Sequence, residues 1–227
     1  MTDAARYVLQ NTYITTGEHI TGLVSELKKS AEERDGTGME YTGYIGDNND
    51  QVIELIGFSS WNDIGQFLLD RGTQQREDAV RRKMTHDVRH EVLQLHTDVK
   101  PGMSMVPGAA KLQVRYIEVP GMVLDEYFEW RIGTIFAHVL KRADIHSFRA
   151  YHSLSSSTPG VTFFVEYEGG YDDLMAGFGT PEYKDIIRQA DRFIVGGNIN
   201  LSTQGYTRIY RSPPLVDQLA CGRGMEA

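Results

Sequence analysis

Four side chains in the second half of the sequence carry groups that can bind and deprotonate a small molecule: Arg115, Arg149, Tyr151 and Glu166. All four lie in short stretches rich in β-branched and aromatic residues, which is typical of strands. A guanidinium can hold the oxygen of an enolate, a phenolate or a carboxylate, and a tyrosine or a glutamate can transfer a proton. We therefore predict these four residues as catalytic, in a reaction that passes through an oxyanion.

The direction of these side chains follows from the strand pattern. Successive residues of a strand point to opposite faces, so Arg149 and Tyr151 share one face and Phe148 and Ala150 share the other. Because the face beneath helices is expected to be apolar, the polar residues, Arg115 included, are predicted to point away from the helices. The alternative is an Arg-Glu pair that only neutralises its own charge.

Four further residues are predicted to bind substrate: Tyr13, Tyr41, Trp130 and His138. The two tyrosines lie in strand-like segments of the first half. Trp130 and His138 belong to a partly ionisable face of a helix predicted over residues 121–142, and the alternative for that face is a half-exposed surface. The opposite face of this helix has the spacing of a core. Its residues are Phe128, Ile132, Ile135, Phe136 and Val139.

The elements that must position these residues occur twice in the same order, β-α-β-β-α-β. "SSWNDIGQFL" at 59–68 and "GGYDDLMAGF" at 169–178 mark the repeat, because each follows the third strand of its half. The last strand of the first half is predicted to begin at Glu91, after a broken helical region that extends to about Arg89. The repeat indicates a duplicated unit.

The predicted fold class is α+β, with two tandem ferredoxin-like halves whose antiparallel sheets pack face to face as an α+β barrel. Residues 1–98 form the first half and residues 111–210 the second. Residues 99–110 contain two Pro-Gly pairs and are predicted as a linker, and residues 211–227 as a loose tail. The barrel interior would then be the pocket.

Two segments resemble the dimeric α+β barrel superfamily: "LQVRYIEVPG" at 112–121 and "FFVEYEGGYDDLMAGFGTPEYKDI" at 163–186. The nearest likenesses are the NIPSNAP-like and antibiotic-biosynthesis-monooxygenase-like groups. The resemblance implies an oxygenase of secondary metabolism that acts on an aromatic or polyketide-like substrate. It also implies no tightly bound cofactor, with reduced flavin as a helper. Monooxygenase-like members often carry a histidine before "TPE", where this chain has Phe178 and Gly179, so their mechanism does not transfer directly.

Three alternatives stay open. The same residues suit a cyclase or an isomerase, which would use no oxygen. A haem-binding, chlorite-dismutase-like protein would need a histidine ligand such as His138, His146 or His152. A non-catalytic protein would simply hold a ligand in the barrel. His86 and His90 have the spacing of two helical metal ligands, but a solvated helix end is the preferred interpretation, and no metal site is predicted.

Composition restricts the classes of partner. The net charge of −8 over 227 residues disfavours nucleic acid, and no apolar run approaches the length of a membrane span. The first residues lack a signal pattern, and the single cysteine, Cys221, permits no disulfide framework, so a cytoplasmic location is expected. The expected partner is a small-molecule substrate, with a homodimer left open.

Overall fold

The computed structural model describes residues 4–34, 38–84, 87–155, 160–197 and 200–212, without the side chains of residues 82–84. Its eight strands form one closed antiparallel barrel. They are β1 (Tyr7–Ile14), β2 (Tyr41–Gly46), β3 (Gln51–Phe58), β4 (Asp87–Lys100), β5 (Lys111–Glu118), β6 (Ile145–Ser153), β7 (Gly160–Tyr167) and β8 (Ser202–Arg211). The mixed α+β barrel predicted from the sequence is therefore confirmed.

The order of the strands explains how the barrel closes. Around the barrel the strands follow the order β1-β3-β2-β8-β5-β7-β6-β4. The first four strands are therefore neighbours in the order β4-β1-β3-β2, and the last four in the matching order β8-β5-β7-β6. Antiparallel pairs join the two groups at both edges, β2 with β8 and β4 with β6. The two sheets are thus one continuous hydrogen-bonded surface.

The helices pack on the outside of the barrel. They are α1 (Ile20–Glu32), α2 (Trp61–Leu69), α3 (Arg71–Met84), α4 (Leu124–Arg131), α5 (Ala137–Leu140), α6 (Tyr171–Phe178) and α7 (Pro181–Ala190). A π-helix, Ile132–Phe136, joins α4 to α5. Leu23 and Leu27 of α1 pack against Val52 of β3, while Phe136 and Ile186 pack against the outer residues of β6 and β7. Each half therefore has its own core between helices and barrel.

The barrel interior is a third core. It is filled by apolar and aromatic side chains from both halves, including Val8, Tyr44, Leu55, Leu93, Leu112, Tyr151 and Phe164. One end is covered by residues 101–110, which we call the capping segment. The amide of Ala5 donates to the carbonyl of Met105 at 2.9 Å, and Val106 packs into the interior core. The interior is therefore not the single open pocket that the sequence predicted.

Two predicted boundaries were wrong. Strand β4 begins at Asp87, earlier than Glu91, because it pairs with β1 along the whole of β1. His90 consequently lies on a strand, and His86 lies outside the described residues. The final strand, whose sequence pattern predicts a start at Asn198, begins at Ser202, and Asn198 itself lies outside the described residues.

The π-helix changes which residues of the long helical segment face the core. One extra residue in the turn shifts the helical phase. Ile132, predicted as core, is 62% exposed, whereas the neighbouring Arg131 is completely buried. Tyr127 and His138 are also buried, so the face predicted as half-exposed is largely internal.

Of the predicted tail, residues 213–227, with Cys221, lie outside the described residues. No helix in the described part of the chain combines the length and the apolar character that a bilayer crossing requires.

Candidate functional site

Arg149 and Glu166 both bind the capping segment. The guanidinium of Arg149 is fully buried and donates to the carbonyls of Ser104 and Met105 at 2.7 and 3.1 Å. Glu166 Oε1 accepts the amides of Gly108 and Ala109 at 2.7 and 2.6 Å. Both side chains therefore hold the covered end of the barrel, and their predicted catalytic roles stay predictions.

The residues around Arg149 are equally enclosed. Its Nε lies 3.5 Å from Oδ1 of Asp98, which faces it on the neighbouring strand β4. Tyr151 is completely buried in the interior core, and burial raises the pKa of its hydroxyl well above the usual range. Phe148 and Ala150 pack beneath the helices, so the alternation predicted for β6 is confirmed.

Arg115 points the opposite way from the prediction. Its guanidinium lies under the helices of the second half, 3.5 Å above the ring of Phe178, and donates to the hydroxyl of Tyr183 at 2.8 Å. Leu112 of the same strand belongs to the barrel interior. Both faces of β5 are covered by cores, so apolar residues could not identify the helix side. Arg115 therefore does not meet Arg149 or Glu166.

Tyr13 and Tyr41 also face the helices instead of the barrel interior. Tyr13 packs with Leu23 and Leu27 of α1, and the hydroxyl of Tyr41 donates to the carbonyl of Ala31 at 2.6 Å. The strand alternation that places them there brings Asn11 and Glu54 to the same layer. Tyr13 and Tyr41 thus lie with Asn11 and Glu54 on the helix side of the sheet, opposite the barrel interior.

Trp130 and His138 lie in the helix layer of the second half, away from the first half. Trp130 packs on Phe193 at a ring distance of 5.3 Å, and His138 packs on Tyr183 at 4.9 Å. Burial lowers the pKa of His138, although Glu182 opposes that change. Neither residue lines the cavity of about 30 Å³ under the second-half helices.

A buried polar group, the Glu54 cluster, lies between β3 and the helices of the first half. Its members are Glu54, Arg34, Asn11 and Tyr210. Glu54 forms an ion pair with Arg34, accepts the hydroxyl of Tyr210 at 2.9 Å and accepts the amide of Asn11 at 3.4 Å. Burial alone would raise the pKa of Glu54, but the charge and hydrogen bonds of Arg34 lower it below the usual value. The ionised form of Glu54 is therefore favoured in the folded protein.

A β-bulge brings Tyr210 into this cluster. Opposite β2, Gly43 pairs with Tyr210 but Tyr44 pairs with Arg208, so the register shifts by one residue. Tyr206 points into the barrel and Arg208 donates to the carbonyl of Gly108 in the capping segment, whereas Tyr210 points to the helices. Gly43 has no side chain, which leaves room for the ring of Tyr210.

A cavity of about 530 Å³, the first-half cavity, opens beside this cluster. Its wall combines apolar residues such as Phe58, Phe67 and Met105 with the cations Arg34 and Arg76. Arg76 is half-buried and makes no hydrogen bond and no ion pair within 4 Å among the described residues, although the carboxylates of Glu54, Glu33 and Asp70 attract it from beyond that distance. Desolvation and the nearby charge of Arg34 lower the pKa of Arg76. The cavity therefore offers an unpaired cation beside aromatic surface.

Two carboxylates of the first-half cavity, Asp70 and Glu40, accept hydrogen bonds from different backbone amides. Asp70 caps α3 by accepting the Thr73 amide at 2.8 Å. Glu40 is buried; its Oε2 accepts the Met105 amide at 2.6 Å, and its Oε1 has no partner among the described residues. Glu40 thus presents a carboxylate to the cavity.

The three histidines predicted as candidate haem ligands do not border a cavity that fits a haem in the second half. The cavity under the second-half helices measures about 30 Å³, far below the roughly 300 Å³ of small-molecule sites. His138 is packed against aromatic rings, His146 contacts Glu168, and His152 stacks on Phe128 at 4.5 Å. The wall of the first-half cavity contains no histidine or cysteine among the described residues. Within the same residues, no group of three His, Cys, Asp or Glu side chains could hold a metal ion.

Sequence reasoning missed Arg34, Arg76 and Tyr210. Arg34 lies in the turn after helix α1. Outside helices and strands the spacing of residues does not indicate where a side chain points, so its direction could not be predicted. Arg76 lies in α3, where nine of the fourteen residues have charged or amide side chains, so the sequence pattern does not distinguish Arg76 from its solvent-facing neighbours. Tyr210 has the parity of the barrel interior, and only the bulge reverses it. The one usable signal was Glu54, a carboxylate in an otherwise apolar strand.

Comparisons with solved structures give one consistent result. An anthrone oxidase-like protein superposes with a TM-score of 0.71 at 13% identity, over 90% of this chain and 92% of that chain. A candidate monooxygenase from Fusobacterium nucleatum subsp. nucleatum has a TM-score of 0.67 at 8% identity, over 93% and 95%. A candidate chlorite dismutase has a TM-score of 0.56 at 10% identity, over 95% and 99%.

No protein-family model and no curated protein sequence matches the chain. At such low identities the likeness concerns the fold alone. This chain therefore has the α+β barrel fold that these oxygenase-like and chlorite-dismutase-like proteins also have.

Proposed function

We propose that the protein is a small-molecule oxygenase without a resident metal, and that its substrate lies in the first-half cavity. The observation that carries the proposal is Arg76, a half-buried cation that makes no direct hydrogen bond or ion pair among the described residues, on the wall of a cavity of about 530 Å³. An unpaired cation in such a place favours an anionic ligand. Phe58 and Phe67 favour a ligand that is also flat and apolar.

The matching substrate is an aromatic or polyketide-like molecule with an acidic C–H or O–H group. In this proposal Oε1 of Glu40 accepts the proton, and Arg76 and Arg34 stabilise the enolate or phenolate oxygen. The electron-rich carbon then reduces dioxygen and forms a C–O bond, which gives a hydroperoxide after protonation. Loss of water converts CH–OOH into C=O, so CH₂ and O₂ give C=O and H₂O without an added reductant.

The finer family assignment belongs to the same proposal. The matching strand orders β4-β1-β3-β2 and β8-β5-β7-β6 support two tandem ferredoxin-like halves. The resemblance to the NIPSNAP-like and antibiotic-biosynthesis-monooxygenase-like groups supports a role in secondary metabolism. Arg149, Tyr151 and Glu166 are structural in this proposal, because their polar groups serve the capping segment and the interior core.

Oxygen uptake tests the proposal. Anthrone and related phenols with an acidic methylene serve as probes, and ¹⁸O₂ labels the product. We expect wild-type protein to consume oxygen and to place one labelled atom in the product. Arg76→Gln should lower the rate on the order of a hundredfold. The control is Arg71→Gln, which changes an exposed arginine of the same helix and should leave the rate unchanged.

Two outcomes would overturn the proposal. No oxygen uptake with any probe would leave no support for an oxygenase, and equal rates for both arginine variants would remove the cavity from the reaction. Product formation without oxygen uptake would instead favour the cyclase or isomerase. In that case added reduced flavin should also have no effect.

A further inference from the structure

A second cavity lies inside the barrel, at the end opposite the capping segment. It measures about 400 Å³, within the range of small-molecule sites, and we call it the mouth cavity. It is lined mainly by inward-pointing strand residues: Gln10, Thr12, Gln51, Arg89, Glu91, Val114, Tyr116, Thr162, Ser202, Gln204 and Tyr206, with His90 at its rim. It shares no lining residue with the first-half cavity.

The lining of the mouth cavity is rich in neutral hydrogen-bonding groups. Gln204 accepts a hydrogen bond from Gln51, and Gln10 donates to the hydroxyl of Thr12 at 3.3 Å. The side-chain amides of Gln10 and Gln204 each have a second atom that is buried and has no hydrogen-bond partner among the described residues. These atoms are Oε1 of Gln10 and Nε2 of Gln204. Gly46 lies against both Gln51 and Gln204, and any side chain there would displace the amide of Gln204.

These groups suit hydroxyl groups better than charges. A buried amide without a partner costs free energy until a ligand or water pairs with it. A hydroxyl both donates and accepts, so it satisfies either orientation of each glutamine amide. The two charged residues of the lining, Arg89 and Glu91, have opposite signs, so the lining gives no net attraction to an anion or a cation.

We propose that the mouth cavity is a second binding site, for a small neutral polyhydroxylated ligand such as a sugar or a polyol. Gln10 and Gln204 bind its hydroxyl groups. The rings of Tyr116 and Tyr206 provide the apolar surface that covers its C–H faces. In the proposed function the first-half cavity binds an anion beside Arg76, so the two proposed sites take ligands of different chemistry.

Calorimetric titration with methyl glucoside and myo-inositol, with sodium gluconate as the charged comparison, tests this site. We expect wild-type protein to bind at least one neutral probe and to bind gluconate at least tenfold more weakly. Gln10→Leu and Gln204→Leu should each weaken neutral binding about tenfold, as expected for one or two lost hydrogen bonds. Gln66→Leu, in the first-half cavity, is the matched control and should bind as wild type does.

Folding is checked separately for each variant by far-UV circular dichroism. Gln10→Leu is the safer variant, because among described residues the amide of Gln10 bonds only to Thr12. The proposal is overturned if wild-type protein binds neither neutral probe at 20 mM. Binding with a dissociation constant in the millimolar range would still be detected at that concentration. It is also overturned if gluconate binds equally well, or if Gln66→Leu and folded Gln10→Leu lose the same affinity.

Discussion

The hydroxyl of Tyr210 donates a hydrogen bond of 2.9 Å to Oε1 of Glu54, from 156 positions further along the chain. The same oxygen pairs with Arg34, so a strand of the second half completes a buried ion pair of the first. Glu54 and Arg34 are buried, and Tyr210 is half-buried. The Glu54 cluster therefore links the two halves on the outer side of the barrel.

The first prediction concerns the charge balance of this cluster. Arg34→Met should lower the free energy of unfolding by about 3 kcal/mol, because it leaves the carboxylate of Glu54 buried without its cation. Adding Glu54→Gln should restore most of that loss. Urea unfolding of the two variants measures both values. A double variant no more stable than Arg34→Met would contradict the prediction.

The second prediction concerns the room that Gly43 gives to Tyr210. A Cβ at position 43 would overlap the ring of Tyr210, so Gly43→Ala must move that ring away from Glu54. We expect a loss of about 2 kcal/mol, in the range of overpacked sites. In a Tyr210→Ala background the same change should cost under about 0.5 kcal/mol, because the obstacle is gone. Equal costs in both backgrounds would contradict this explanation.

The third prediction concerns the capping segment. Glu166→Gln removes the charge that two backbone amides bind, so amide hydrogen exchange at Gly108 and Ala109 should accelerate about tenfold or more. Arg149→Met should have a similar effect on the segment and lower stability. Arg188→Met, which breaks an exposed pair with Asp185, is the control and should change neither quantity. Unchanged exchange in Glu166→Gln would contradict the assigned role.

The fourth prediction is a pH dependence. The pKa of His152 falls to about 4, first because the ring is buried between Phe128 and His96, and then because of the charges of His96 and Arg131. An unfolded histidine binds its proton near pH 6.5, so between about pH 6.5 and pH 4 the unfolded chain carries the extra proton. The contribution of His152 to the free energy of unfolding is therefore fully present above pH 6.5, and it is lost as the pH falls towards 4.

Thermal unfolding at pH 7.5, 5.5 and 4.5 measures this effect. His152→Phe keeps an aromatic ring in the stack and should flatten the acid side of the stability curve. His19→Gln, at an exposed histidine, should leave the curve as in the wild type. A wild-type slope retained in His152→Phe would assign the acid sensitivity to other groups, such as His96, whose pKa is also lowered by burial.

The strands and their order in each half were predictable because alternation and turn residues act locally. Which face of a strand lies under the helices was predictable only where one of its two faces was clearly more apolar than the other. β6 satisfied this condition, with Phe148 and Ala150 under the helices. β5 did not, because Leu112 and Ile117 belong to different cores, and Arg115 was therefore assigned to the wrong side.

The candidate site was less predictable than the fold. Tyr13 and Tyr41 were predicted to bind substrate, and the structure places both in the helix layer of the first half, together with Asn11 and Glu54. Their partners could not be selected. Arg34 lies in a turn, and the position of Tyr210 depends on a bulge whose effect exists only once β8 pairs with β2.

The pairing of β2 with β8 also affects how the chain can fold during synthesis. Thr42 pairs with Arg211, so one edge of the first four strands stays open until β8 has left the ribosome. Such non-local pairing is slow, and an open strand edge invites association with other nascent chains. The first half is therefore expected to need chaperone protection during translation, although its own helices are complete long before β8 emerges.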